Sequence, residues 1–183
     1  MYDNFSDYTG EVAFFIEQVT GHLIPDFRYA LKNGVNQMII ELDEKIASET
    51  NEKKKTNFIA MKITLESVVI LANRYAAIVH KKAEQADEAR KAQFELLEAT
   101  LKKVPANGAT NLYEAIQSYL LLWQTMCLEQ APNPFAFSVG NADRIFEPYR
   151  AMGNTDRETA AALFKHFLTF YNVGDRSWAI SQN

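Results

Sequence analysis

Apolar positions recur at intervals of three and four along most of the chain, a pattern that predicts one amphipathic helix after another. Pro25 and Asp26 read as the opening of the first, with proline at the first helical position and the acid beside the positive end of the dipole. Gly34 reads as its stop or a kink. Beyond it Val35, Met38, Ile39, Leu42 and Ile46 share a face and predict a helix to about Ser48. The polar run ETNEKKKTN, residues 49–57, has no apolar period and reads as a turn between antiparallel helices.

Residues 57 to about 86 predict a long helix that is apolar nearly all round at Val68 to Ala72, and hence buried there on several sides. Asp87 is placed to cap a continuation that Pro105 and Gly108 end. Asn111 and Glu114 have capping-box spacing and open a helix apolar on most faces, which Pro132 stops. The 57–86 helix is expected to pack against it. Thr155 and Glu158 repeat the device and open the last helix.

Two stretches break the pattern. NPFAFSVGNADRIFEPYR, residues 133–150, reads as unhelical: prolines 132 and 134 flank Asn133, and Phe135 and Phe137 alternate with Ala136 and Ser138. Alternation sends the two phenylalanines to one face and Ala136 and Ser138 to the other. At the end of the chain Trp178 and Ile180 alternate with small residues in a strand-like way. No internal repeat is found.

Composition narrows the classes. An apolar fraction of 48% in 183 residues supports one globular unit with a real core. A net charge of -4 leaves no basic footprint for nucleic acid or an anionic membrane, and Lys53, Lys54 and Lys55 read as a solvated turn. No apolar run is read as reaching the roughly 20 residues that span a bilayer, and MYDNFSDYTG lacks the features of a signal peptide. A cytoplasmic location is therefore expected, and the single cysteine, Cys127, agrees with it.

Candidate chemistry is sparse. The three histidines are widely separated and make no helical ligand pair, so no metal site is expected. His80 and Glu84, four residues apart beside lysines, read as a surface pair, and the acids from Glu84 to Glu98 as a solvated face. Cys127 lies between Met126 and Leu128 with no base near it in sequence, which suits a structural thiol. No phosphate loop or nucleophile elbow is present, and no catalytic residue is expected in this chain. What remains is the 133–143 region, where Asn133, Ser138, Asn141 and Asp143 set polar groups among core-seeking residues. Such a segment is either an ordinary inter-helix loop or a functional loop held by a rigid scaffold.

The order of segments resembles glycyl radical enzymes of the pyruvate formate-lyase-like family, nearly end to end. TGHLIPDFRYALKNGV resembles the Gly-His...Pro-Asp-Tyr segment near their front. FIAMKITLESVVILANRYA and ADEARKAQFELLEATLKKVPANGATNLYEAIQ resemble their long helical section, with its Arg-Tyr-Ala and Val-Pro-Ala. SVGNADRIFEPY is similar to Ser-Phe-Gly-Arg-x-Asp-Gln-x-Leu-x-Pro-Tyr, and WAISQN to the Ser-Gln-Asn that leads into a barrel strand. Asn141 stands where the family usually has Arg, and Arg144 where it usually has Gln, which leaves substrate and subgroup undefined.

The resemblance implies a mainly α chain: the helical portion of a ten-stranded α/β barrel, residues 1–183 forming one partial domain truncated as the barrel begins. The cysteine loop and the C-terminal glycyl radical domain would lie in the remainder of a parent enzyme. That parent would carry a glycyl radical installed by a separate activase using S-adenosylmethionine and an iron–sulfur cluster. Its thiyl radical would abstract hydrogen from a small substrate and trigger C–C, C–O or C–N cleavage. This chain alone would be catalytically silent, and its partners would be the rest of the parent, the activase, the substrate and a second copy in a homodimer. The substrate-binding candidates are Phe135, Ala136, Ser138, Asn141 and Asp143. In several dehydratase-type relatives the position resembling Phe135 carries histidine and that resembling Ala136 serine, both binding substrate hydroxyls. The alternative is a stand-alone helical interaction module, or a degenerate one, that keeps only the scaffold.

Overall fold

The computed structural model describes residues 23–129 and 137–174. Its elements are the helices α1 (Phe27–Asn33), α2 (Val35–Ser48), α3 (Glu52–Ala83), α4 (Glu88–Lys103), α5 (Leu112–Glu129), α6 (Ala142–Met152) and α7 (Arg157–Gly174). Among the described residues the β pairing is one parallel bridge, Leu23 to Phe137. The mainly α reading holds for these residues. The expected strand-like tail with Trp178 and Ile180 lies outside them, as do Phe135 and Ala136.

Polar side chains set the helix ends, and several ends differ from the sequence expectation. Asp26 accepts the Tyr29 N–H at 3.2 Å and so is the N-cap of α1, which leaves Pro25 outside the helix instead of at its first position. Asn51 accepts the Lys54 N–H at 3.1 Å, so α3 begins at Glu52. Lys53, Lys54 and Lys55 thus form its first turn and are not a connecting turn. Apolar periodicity could not register this, because the turn is wholly polar. Asp87 accepts the Arg90 N–H at 2.8 Å and opens α4 as a new helix folded back along α3.

Asn111 accepts the Glu114 N–H at 2.9 Å, while the Glu114 carboxylate reaches past it to the Thr110 N–H at 2.8 Å. The last helix is capped by Asp156, which accepts the Thr159 N–H at 2.9 Å, one residue beyond the Thr155 and Glu158 pair that the spacing suggested. A carboxylate is the stronger acceptor and takes the position.

The largest correction concerns residues 142–150, which are helical despite Pro148. An interior proline costs about 3 kcal/mol, but α6 buries Ile145, Phe146 and Tyr149, each contributing roughly 1.5–3 kcal/mol.

Two cores share α5. One gathers Tyr119 and Trp123 of α5 with Phe27, Phe137, Phe146 and Phe167. Phe146 meets Tyr119, Phe164 and Phe167 edge-on at centroid distances of 5.6–5.8 Å. The second joins Ala72, Ala76 and Val79 of α3 to Leu101 of α4, and Leu121 of α5 enters it. The expected contact between α3 and α5 is therefore made, but narrowly, and α3 lies chiefly along α4 and α2. Burial on α3 is one-sided: Val68 and Ala72 are buried while Ile70 between them is 59% exposed.

An 18-residue window of α3 reaches a mean hydropathy of 1.2, so by length and composition this helix could cross a bilayer, where the sequence reading expected no such run. In this fold its Lys62 pairs with Asp43 of α2 at 2.6 Å, and its alanine-rich stripe seats α4.

Candidate functional site

The site begins with one backbone carbonyl. Phe137 is buried, and its C=O accepts two hydrogen bonds, from the Trp123 indole N–H at 3.0 Å and the Tyr171 hydroxyl at 2.7 Å. A carbonyl has two lone pairs, and both are taken here by side chains from different helices, α5 and α7. The two donor rings lie against each other, 4.5 Å between centroids. The buried indole N–H needs a partner, and the shared carbonyl supplies one to it and to the half-buried tyrosine hydroxyl. On the next residue the Ser138 N–H donates to the Leu23 carbonyl at 3.0 Å. The entry to the segment is thereby fastened to three separate parts of the chain.

From this anchor the chain turns into α6. The Ser138 hydroxyl accepts the Gly140 N–H at 3.1 Å, a local turn bond. Gly140 has φ +71°, where a side chain would be strained, and an added Cβ would also sit 3.0 Å from the Ile24 side chain. Asn141 occupies the N-cap position of α6 without making a capping bond with its side chain, and it is exposed. Asp143 lies in the first turn, where an acid suits the helix dipole.

Asp143 also borders an open groove of about 610 Å³, shared with Arg144, Glu147, Pro148, Arg150 and Phe164. In its wall Arg150 donates two bonds to the Glu147 carboxylate, both 2.7 Å, and a third to the Thr155 carbonyl at 3.0 Å. The guanidinium holds the Glu147 carboxyl below the usual carboxylate range, and Glu147 in turn raises Arg150.

Of the five sequence candidates, Ser138, Asn141 and Asp143 fall on one short anchored stretch, with Asp143 alone on the groove. Phe135 and Ala136 lie outside the described residues. Phe137 is on the core side, as alternation expects, while Ser138 is half-buried. The three polar residues can hydrogen-bond a ligand. Among the described residues no histidine or cysteine bonds to any of them.

Sequence reasoning missed the anchoring pair Trp123 and Tyr171, whose signal is only that a buried indole N–H demands an acceptor. It also missed the Glu147–Arg150 pair, whose three-residue spacing was available. Cys127 is buried on α5, as a structural thiol should be. Tyr119 is buried, and among the described residues no group meets its hydroxyl in hydrogen-bond geometry; burial, reinforced by neighbouring Tyr171, raises its pKa and keeps it protonated. His80 does more than pair with Glu84 at 3.8 Å, since its other ring nitrogen meets Glu98 of α4 at 3.0 Å.

The family model for pyruvate formate lyase-like proteins matches residues 7–176. The chain belongs to the pyruvate formate lyase-like family. Isethionate sulfite-lyase of Bilophila wadsworthia (strain 3_1_6) is 33% identical over 133 residues, which is 69% of this chain and 16% of that enzyme. The glycerol-bound form of the B12-independent glycerol dehydratase of Clostridium butyricum matches in fold with a TM-score of 0.77 at 24% identity, over 83% of this chain and 20% of that one. A glycyl radical enzyme from Archaeoglobus fulgidus matches with a TM-score of 0.73 at 23% identity, over 82% of this chain and 21% of that one.

The relatives of this pyruvate formate lyase-like chain are thus glycyl radical lyases and dehydratases, and the family implies a glycyl radical. The chain spans 16% of the length of the curated sulfite-lyase it matches. The alternative of a stand-alone or degenerate module gains no support from these likenesses.

Proposed function

We propose that the chain is the helical portion of a glycyl radical lyase or dehydratase, one partial domain that walls the substrate pocket while the remainder of the parent carries the reacting groups. The fixed Phe137 carbonyl is the observation that supports this most. A buried donor from α5 and a half-buried one from α7 hold the backbone beside Ser138, Asn141 and Asp143. A pocket wall needs such fixed positions, because a misplacement of one ångström weakens both binding and orientation. Phe135, Ala136, Ser138, Asn141 and Asp143 are the proposed substrate-facing set.

The radical itself is assigned to residues outside this chain. Four of its described glycines, Gly34, Gly108, Gly140 and Gly153, lie in the connections between helices, each with other atoms packed where a side chain would begin. In the parent a glycyl radical, installed by a separate activase that uses S-adenosylmethionine and an iron–sulfur cluster, supplies the means of removing hydrogen from an unactivated carbon. The residues of this chain bind and orient the small substrate whose C–C, C–O or C–N bond then breaks. A cytoplasmic location and the absence of nucleic-acid and membrane partners belong to the same proposal.

Phe135 and Ala136 make the wall a poor fit for a polyol, because a substrate hydroxyl placed there would lose water and gain no partner, at roughly 1–3 kcal/mol. The test is Phe135→His with Ala136→Ser in the full-length, activated enzyme, with the radical quantified by paramagnetic resonance. Turnover of glycerol-like diols should rise relative to the enzyme's own substrate. Unchanged rates on both, with the radical intact, would show that this segment does not line the pocket.

A further inference from the structure

Tyr119 is the polar residue of the aromatic core that the grip on Phe137 does not account for. It is fully buried, and its ring is enclosed by this chain's own helices: Phe27 of α1 at 4.4 Å between centroids, Phe146 of α6 at 5.8 Å, and Phe167 and Tyr171 of α7 at 5.5 and 6.4 Å. The remainder of the parent therefore has no access to it. Three of those four neighbours are phenylalanines, so packing alone would be served by phenylalanine at 119. The hydroxyl is an addition that burial penalises unless it is bonded.

The chemistry of the core narrows the choice of partner. Both lone pairs of the Phe137 carbonyl are taken, by Trp123 at 3.0 Å and Tyr171 at 2.7 Å. The Trp123 indole can only donate, and the Cys127 sulfur is a weak acceptor. The Tyr171 oxygen can accept while its own proton goes to Phe137. It also acts on Tyr119 already: after burial itself, Tyr171 is the main influence that raises the Tyr119 pKa.

We infer that Tyr119 is a positioning residue, whose hydroxyl donates to the Tyr171 oxygen and completes a chain from Tyr119 through Tyr171 to the Phe137 carbonyl. The two hydroxyls stop short of hydrogen-bond geometry in this structure, and they close into a bond in the full-length enzyme. With a donor behind it, the Tyr171 hydroxyl is held from two sides, and each bond of such a chain polarises the next. The positioning role rests on the pocket-wall reading, because Ser138 follows the gripped carbonyl. The rings on which α1, α5, α6 and α7 converge then set the position of that wall.

The test is a double-mutant cycle in the full-length protein, read in two ways. In urea titration Tyr119→Phe and Tyr171→Phe should each lower the midpoint. The double variant should be at least as stable as Tyr171→Phe alone, because loss of the Tyr171 hydroxyl has already orphaned that of Tyr119. In the activated enzyme, with the radical quantified, Tyr119→Phe should raise KM about threefold, leave kcat within about twofold, and add nothing in the Tyr171→Phe background. A Tyr119→Phe protein as stable as the parent sequence or more so, or single-variant losses that simply add, would place the partner elsewhere, a buried water included, and overturn the inference. So would a KM raised by Tyr171→Phe and unmoved by Tyr119→Phe. If Tyr171→Phe itself leaves KM unmoved while the stability coupling is present, the pocket-wall reading fails and the positioning role falls with it, although the hydroxyl chain stands.

Discussion

Gly108→Ala is a one-methyl change that should separate two parts of the scaffold. A Cβ at Gly108 would lie 2.1 Å from the Lys32 carbonyl oxygen and 3.0 Å from its carbon, both backbone atoms that cannot rotate away. Around this contact the α1–α2 corner and the 104–109 loop are joined by three backbone bonds of 2.9 Å: Ala109 N–H to Leu31, Val35 N–H to Pro105, and Asn36 N–H to Ala106. Relieving the overlap requires about 1 Å of separation, enough to take a 2.9 Å bond beyond hydrogen-bond range. Forced repacking costs about 1–3 kcal/mol and a lost backbone bond about 1 kcal/mol more, so about 3 kcal/mol is expected in total. Urea titration followed by far-ultraviolet circular dichroism reads the change directly. Gly140→Ala is the comparison: there the clash is with the movable Ile24 side chain, and the left-handed φ dominates, for about 1–2 kcal/mol. A Gly108→Ala protein within 0.5 kcal/mol of the parent (inside the usual range for neutral surface changes) would refute the reasoning.

Two further outcomes follow from named contacts. Glu114 suffers burial, which raises its pKa, but Lys103 and Thr110 outweigh this and hold the carboxyl below its ordinary value of 4.5. Glu114→Gln should therefore destabilise by about 1 kcal/mol at neutral pH; because the folded-state pKa is lowered, that stabilisation is present above pH 4.5 and is lost as pH falls through the folded value, so the two melting curves should converge in acid. Trp123→Phe removes one of the two donors to the Phe137 carbonyl and part of a buried ring system, and should cost about 2 kcal/mol in denaturant titration while raising KM of the full-length enzyme more than it lowers kcat.

How far the fold was legible follows from what sets each boundary. Asp87, Asn111 and Gly34 do what their positions announce, because a cap acts within three residues of itself and the signal is entirely local. The start of α3 was missed for an equally local reason: Asn51 caps it, but the polar turn that follows carries no apolar period. Ile70 was expected in the interior because hydrophobicity all round a helix implies burial all round. Burial instead follows the available neighbours, α2 and α4, and these cover one side. Tertiary packing likewise decided α6, where three buried side chains outweigh one proline.

The candidate site was legible in its residues and illegible in its support. Ser138, Asn141 and Asp143 stand out in sequence because small and polar groups interrupt an apolar run, a feature visible in a window of six. What fixes them is a carbonyl at Phe137 bonded to Trp123, fourteen residues earlier, and Tyr171, thirty-four later. A backbone oxygen has no sequence signature, and neither donor's spacing to it follows any helical or strand period. The sequence pattern is therefore the same whether or not such a grip on the backbone exists. In this chain the grip comes from aromatic side chains of the core, so the same rings that stabilise the helices also position the polar residues.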